Sequence, residues 1–217
     1  MQILFQDDAL LVVNKPAGIA VQPDKTGEPS LLDQASAEIG HPLFVVHRID
    51  RPVSGAVVFA KTKETAHLLS VQFQEKSVQK TYLAVSGQCP DPPVGDLLHY
   101  FEKNETQNKS KAFTTNKDGR TKGSLSYSVE ARSDRYFLLR IQLHTGKHHQ
   151  IRAQLAAIGC PIKGDVKYGA KRGNPDRSIH LHAWKISFEH PVSQAKMALE
   201  ADLPRHDTLW NALVPVK

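Results

Sequence analysis

Apolar and polar positions alternate in short bursts along this chain, broken by glycine, proline and charged clusters. That pattern predicts many short strands with a few helices, an α+β protein. ILF at 3–5 and ALLVVNK at 9–15 read as strands, with an acidic QDD turn between them and PAG at 16–18 as the break. Ser30 stands where an N-cap belongs for a helix over LLDQASAEI, and Gly40 where that helix should stop. LFVV at 43–46 and AVVFA at 56–60 are strand candidates on either side of a polar stretch. Thr62 predicts the cap of a helix over about Lys63 to Glu75, with Ala66, Leu69 and Phe73 as its buried stripe. KTYLAVSG at 80–87 is a further strand, and CPDPPVG a turn-rich crossover. SLSYSVEARS and YFLLRIQLH form a predicted hairpin turning near Ser133 and Asp134. A helix is expected from about Lys147 to Ile158, with Ile151, Leu155 and Ile158 as its apolar face. SIHLHAWKISFEHP alternates as a strand, MALEADLP is a last strand, and HDTLWNALV a short closing helix.

Composition narrows the class. With 217 residues the chain is long enough to bury a core without staples, and it shows no repeat, low-complexity tract or linker. A single domain over residues 1–217 is the expectation. No apolar run is long enough to span a bilayer, and the N-terminus carries acids where a signal peptide has a basic flank. Cys89 and Cys160 are not spaced as a metal pair, and so low a cysteine count leans toward a reducing compartment. Together these predict a cytoplasmic protein. No exposed heptad or apolar strip announces an interface, so a monomer is expected. GxGxxG and P-loop patterns are absent, so a nucleotide cofactor has no support. The net charge of +6 leans toward a polyanionic partner. Its distribution says more. Lys103 to Lys122 and Lys163 to Arg177 are polar, mostly basic stretches that read as loops, and loops of one charge sign suit phosphate contacts.

Two stretches carry candidate chemistry. HRIDRPVSG at 47–55 lies between apolar runs as an irregular loop, with Pro52 excluding a continuous central strand and Gly55 allowing a sharp re-entry. Asp50 is its only acid. Beside Arg48 and Arg51 it fits a loop-stabilising ion pair, and an ionised carboxylate is equally what a nucleophile or general base requires. This stretch alone leaves both readings open. In the second stretch, Lys147, His148, His149 and Arg152 crowd the first turns of the expected helix. Cations there oppose the macrodipole at about 0.3–1 kcal/mol each, which points to an anion held at that place. Arg152 lies beside the apolar stripe, and a buried guanidinium calls for a carboxylate. Tyr82 in its strand reads as half-buried packing. His180 and His182 lie two apart but have neither CxxC nor HExxH beside them, so no metal site is predicted.

Taken in order, these stretches resemble the RluA family of pseudouridine synthases. NKPAG at 14–18 opens the series, and HRIDRPVSG is similar to that family's HRLDxxTSG. KTYLAVSG resembles KxYxAxxxG, TGKHHQIRAQLAAIGCPIKGDVKYG resembles TGRxHQIRxHLAxxGxPIxGDxxYG, and LHAWKISFEHP resembles LHAxxLxFxHP. The resemblance covers nearly the whole chain. It implies a mixed, mostly antiparallel sheet in two halves with flanking helices and a central RNA-binding cleft. It implies isomerisation of uridine to pseudouridine in RNA without cofactor or metal, the substrate being a stem-loop of tRNA, large-subunit ribosomal RNA or both. Asp50 takes the place of the essential aspartate, acting at ribose C1′ or through a glycal. Tyr82 takes that of the tyrosine stacked on the base, Arg152 that of the cation paired with the aspartate, and Arg48 that of the arginine entering the stack. Lys147 and His149 are the candidate RNA contacts beside Arg152. Val53 stands where the family usually has Thr, Ile49 where it has Leu and Lys147 where it has Arg; none of the three is a proposed catalytic group. Because the chain opens on the first catalytic strands, the S4-type domain of many relatives is expected to be missing, leaving the basic stretches to hold RNA. The competing reading is a non-catalytic RNA-binding or chaperone protein on the same fold. The joint presence of Asp50, Tyr82 and Arg152 favours the enzyme.

Overall fold

The computed structural model describes residues 1–204 and 206–214. It divides into two compact units, the first built from residues 1–80 and 182–204 and the second from 81–181 and 206–214. Neither is a continuous piece of chain.

The first unit is organised on two strands whose side chains are buried almost throughout, β2 (Leu10–Lys15) and β4 (Ser54–Ala60). Unbroken apolar runs such as LLVV and AVVFA form strands covered on both faces. β2 lies between β1 (Gln2–Gln6) and β4, both antiparallel to it. The far edge of β4 takes β3 (Phe44–Val45) antiparallel at one end and β10 (Leu181–Glu189) parallel at the other, and β11 (Lys196–Glu200) pairs antiparallel with β10. The sheet is therefore mixed. LFVV contributes only two residues of ladder where a full strand was expected. Helices α1 (Leu31–Ile39) and α2 (Lys63–Glu75) match the sequence expectation to the residue. Each starts with a capping box, Ser30 with Asp33 and Thr62 with Thr65, satisfying backbone donors at the first turn. Leu69 of α2 is fully buried in a core with Leu10, Val12, Val58, Ile186 and Phe188, and Ala66 and Phe73 pack against it.

The second unit is an antiparallel sheet in the order β5 (Gln79–Ser86), β9 (Phe137–Leu143), β8 (Thr121–Arg132), β6 (Val94–Asn104), β7 (Lys109–Phe113). The β8–β9 hairpin turns where expected, with the Ser133 amide donating to Tyr136 O. The Lys103–Lys122 stretch corrects its sequence reading. It is not one loop but the end of β6, a turn, all of β7, a loop and the start of β8. Its polar composition hides the strand because contact with helix α3 (Gln150–Ala157) decides it: Ala112 packs in the cluster of Phe101, Ala153 and Tyr168. A short 3-10 turn (Val166–Tyr168) and α4 (Thr208–Leu213) complete the unit.

Helix α3 starts three residues later than the spacing predicts. The Gln150 side-chain oxygen takes the Lys147 amide (3.0 Å) and the Thr145 hydroxyl (2.7 Å), while its amide nitrogen donates to Ser124 O (3.1 Å). These bonds fold residues 145–149 into a turn docked on β8, and His149, at φ 52°, lies outside the helix as its N-cap. A Cβ on Gly123 would lie 2.7 Å from the Phe101 ring and 3.2 Å from the Gln150 side chain, so a larger residue there would press on both.

Candidate active site

Residues 46–53 carry Asp50 between β3 and β4, and the loop is fastened at several points. His47 accepts the Val58 amide through Nε2 (2.9 Å) and stacks on Phe73 with ring centroids 4.8 Å apart. Burial pulls its pKa to about 3, so it is a neutral anchor. Past Asp50, the Arg51 carbonyl accepts from the Gly18 amide (2.8 Å) and from Lys15 Nζ (3.1 Å). Lys15 has no exposed surface; its Nζ also donates to Pro16 O (3.0 Å) and Ile19 O (2.7 Å). Burial lowers the Lys15 pKa to about 7, against the opposing attraction of the Asp50 carboxylate. The Arg51 guanidinium binds Asp24, Glu28 and Thr26, tying the 24–28 segment to the loop. Arg51, one of the two arginines beside Asp50 in sequence, is thus engaged by two other acids. Within this frame Ile49 is buried, Asp50 half-buried and Arg48 exposed. After the loop, buried Ser54 donates to His182 Nδ1 (2.8 Å), and His182 Nε2 donates to Ala201 O (3.1 Å). Both ring nitrogens of His182 are so engaged, and among the described residues no group of three or more His, Cys, Asp or Glu could hold a metal ion.

The remaining predicted site residues belong to the second unit. Tyr82 lies on β5 opposite Ile141 of β9 and is 8 % exposed. Arg152 lies in the first turn of α3 and is 5 % exposed. The carboxylate that a buried guanidinium requires is supplied here by Asp165, 1 % exposed, in a two-bonded fork: Nε to Oδ2 at 2.7 Å and Nη2 to Oδ1 at 2.9 Å. The guanidinium carbon also lies 5.0 Å from the Tyr168 ring centroid. Lys147 precedes the helix in the docked turn and is half-buried. His149 is buried, hydrogen-bonded through Nδ1 to Tyr168 OH (3.0 Å) and stacked on His148. Burial first, and then the Arg152 charge, drive its pKa to about 2. The cationic crowd read from sequence at the helix start therefore includes one neutral ring, and Lys147 and His148 stand outside the helix.

The structure thus adds Lys15, Asp165 and Tyr168 to the residues that hold the candidate groups. Lys15 lies in NKPAG, and Asp165 and Tyr168 in GDVKYG, so the signal for all three was present in the motifs without a role attached.

A profile of the family described as RNA pseudouridylate synthase matches residues 9–157. The chain belongs to the RNA pseudouridylate synthase family. It is an isomerase that converts uridine to pseudouridine in RNA. Over 100 % of its length it is 32 % identical to a protein of Pasteurella multocida named tRNA pseudouridine synthase C, covering 96 % of that relative. The Haemophilus influenzae protein of the same name is 31 % identical, over 99 % of this chain and 96 % of its own. Among solved structures, human RNA pseudouridylate synthase domain containing 4 superposes with a TM-score of 0.74 at 26 % identity, covering 94 % of this chain and 89 % of the human one. The mixed strands of the first unit, the antiparallel sheet of the second and the helices beside them are those of the pseudouridine synthase fold. No helix among the described residues is long and apolar enough to cross a membrane.

Proposed function

We propose that this pseudouridine synthase acts on tRNA, isomerising a uridine in a stem-loop, and that it works as a cytoplasmic monomer whose 217 residues form one catalytic domain. The observation that carries the substrate class is the end-to-end likeness to relatives named for tRNA, at about one-third identity with almost no length left over on either side. A base inside a stem must leave its stack before ribose C1′ can be reached, at a cost of a few kcal/mol. Arg48, exposed at the edge of a fastened loop, supplies a planar cation to fill the gap. The Tyr82 ring supplies a stacking face for the extruded uracil, worth roughly 1–3 kcal/mol. Asp50 drives cleavage of the N1–C1′ bond, by attack on C1′ or by assisting glycal formation. The uracil then turns and C5 bonds to C1′, which releases the Asp50 carboxylate in the first route and restores the C2′ proton in the second; the proton lost from C5 is balanced by one gained at N1. Reactant and product are isomers, so atoms balance without a co-reactant. Arg152 supplies the positive charge that steadies a carboxylate whose charge comes and goes. Lys147 and the basic residues of the β6–β7 hairpin and of 163–177 bind phosphates, while His149, buried against Tyr168, acts by holding the start of α3.

Mapping pseudouridine in tRNA and ribosomal RNA from cells with and without the gene, by carbodiimide adducts and primer-extension stops, tests this reading. A tRNA stop should vanish in the deletion, return with the wild-type gene and stay absent with Asp50→Ala, whose RNA affinity is largely kept. Stops that change only in ribosomal RNA would move the substrate class. A wild-type signal from Asp50→Ala would remove Asp50 from the chemistry.

A further inference from the structure

We propose that the 165–168 turn is a cradle that sets the orientation of Arg152, with Asp165 and Tyr168 as positioning residues for the isomerisation. The inference rests on the reading of Arg152 as a catalytic cation.

The geometry begins with the turn itself. Asp165, at its N-cap, and Tyr168, its last residue, both reach Arg152, and the Tyr168 amide donates to Asp165 O at 3.0 Å. Glycines in the left-handed region bracket it, Gly164 at φ 89° and Gly169 at φ 104°. A Cβ on Gly164 would come within 2.8 Å of both Ser178 O and Asn174 Nδ2, so the turn is seated closely on the 174–178 segment.

The two side chains meet Arg152 in different directions. Asp165 grips one edge of the guanidinium in its plane, and the fork of two bonds leaves that plane little freedom. Tyr168 stands near the same group as an aromatic neighbour at 5.0 Å. Tyr168 is itself held firmly. Its hydroxyl donates to Ser110 O (3.0 Å) and accepts the Ser110 amide (2.9 Å) on β7. With its proton committed to Ser110 O, the hydroxyl accepts from His149 Nδ1 (3.0 Å), which places the proton of that neutral ring on Nδ1. The cradle thus ties β7, the N-cap of α3 and the guanidinium together.

A buried ion pair is a poor stabiliser, because desolvation offsets its attraction. Arg152 also sits in the first turn of α3, where a cation is disfavoured. Orientation explains why such a pair is kept. A cation fixed before the reaction stabilises a changing charge without reorganising during it.

The test uses the full-length enzyme on an unmodified tRNA transcript, with single-turnover rate, RNA affinity and melting temperature measured for each variant. Asp165→Glu keeps the charge pair, and with it the fold, but displaces the guanidinium by a methylene. It is expected to be slower by about 10- to 100-fold, with RNA affinity close to wild type and a melting temperature that falls less than that of Asp165→Asn. Asp165→Asn should be slower still, and adding it to Arg152→Ala should cause no further loss. A wild-type rate for Asp165→Glu, or losses that multiply in the Arg152→Ala background, overturns the proposal and leaves the pair a structural brace. If Arg152→Ala alone turns over at the wild-type rate, the catalytic reading of Arg152 fails first, a result distinct from either of these.

Discussion

Lys15 shows how one side chain can hold a catalytic loop without touching substrate. It is a lysine with no exposed surface, and its three ammonium donors meet three carbonyls, those of Pro16, Ile19 and Arg51. Burial costs the charge, hence a pKa of about 7, while the three carbonyls repay it in hydrogen bonds. Met has a similar volume but no donor. Lys15→Met removes the donor from Pro16 O and Ile19 O, while Arg51 O keeps the Gly18 amide, and should cost about 3 kcal/mol, at about 1–3 kcal/mol for each of the two acceptors that lose their partner. In a chain of this length that lowers the melting temperature by roughly 6–12 °C, measurable by circular dichroism. Turnover should fall with it, because the Arg51 carbonyl adjoins Asp50 in the chain. A melting temperature unchanged in Lys15→Met would show that the anchor is dispensable.

At the scale of elements, the start of β4 is the tightest joint. Gly55 sits at φ 118° in parallel register with Ala183 of β10, and a Cβ there would lie 2.3 Å from Ala183 O and 2.6 Å from Ala183 N. Both obstacles are backbone, which has no rotamer to retreat into. Gly55→Ala should therefore cost about 3 kcal/mol or more, from positive φ and from overpacking together. Soluble expression and urea unfolding check it, and a stability within error of wild type would mean that β4 and β10 separate easily. The helices offer a contrast in legibility. The boundaries of α1 and α2 were readable because capping boxes lie next to the residues they cap. The start of α3 was not, because Gln150 turns back to satisfy Lys147, Thr145 and Ser124, a choice that depends on where β8 lies.

Across the whole molecule, buried histidines give stability a pH dependence. Burial depresses His182 to about 4, His47 to about 3 and His149 to about 2. For a histidine lowered on folding, the unfolded chain takes up its proton first, near 6.5. The folded state therefore binds fewer protons below that pH, and stability is present above about 6.5 and lost as pH falls toward 4. Each such histidine contributes a slope of roughly 1.4 kcal/mol per pH unit in that window. Denaturant unfolding from pH 7.5 to 4.5 should show stability falling steeply. In His182→Asn, which keeps a donor and an acceptor but cannot titrate, the slope should be shallower by about one proton. Equal slopes for the two proteins would mean that His182 titrates alike folded and unfolded.

Much of this protein was written locally. Period-two apolar bursts, caps beside their helices and glycines at turns describe short-range sterics and hydrogen bonding, which neighbouring residues decide among themselves. The order of the motifs likewise carried the α+β class, the family and the identity of Asp50, Tyr82 and Arg152 as candidates. What holds those candidates was decided only in the folded chain. Arg152 meets Asp165 from 13 residues away, Lys15 reaches the Arg51 carbonyl across 36, and Ser54 bonds His182 across 128. The polar stretch at 109–113 became a strand because β6 and α3 lay beside it, and each compact unit was assembled from two separate pieces of chain. These outcomes follow from satisfying buried polar groups and filling a shared core. Both are sums over residues far apart in sequence, so no local stretch encodes them.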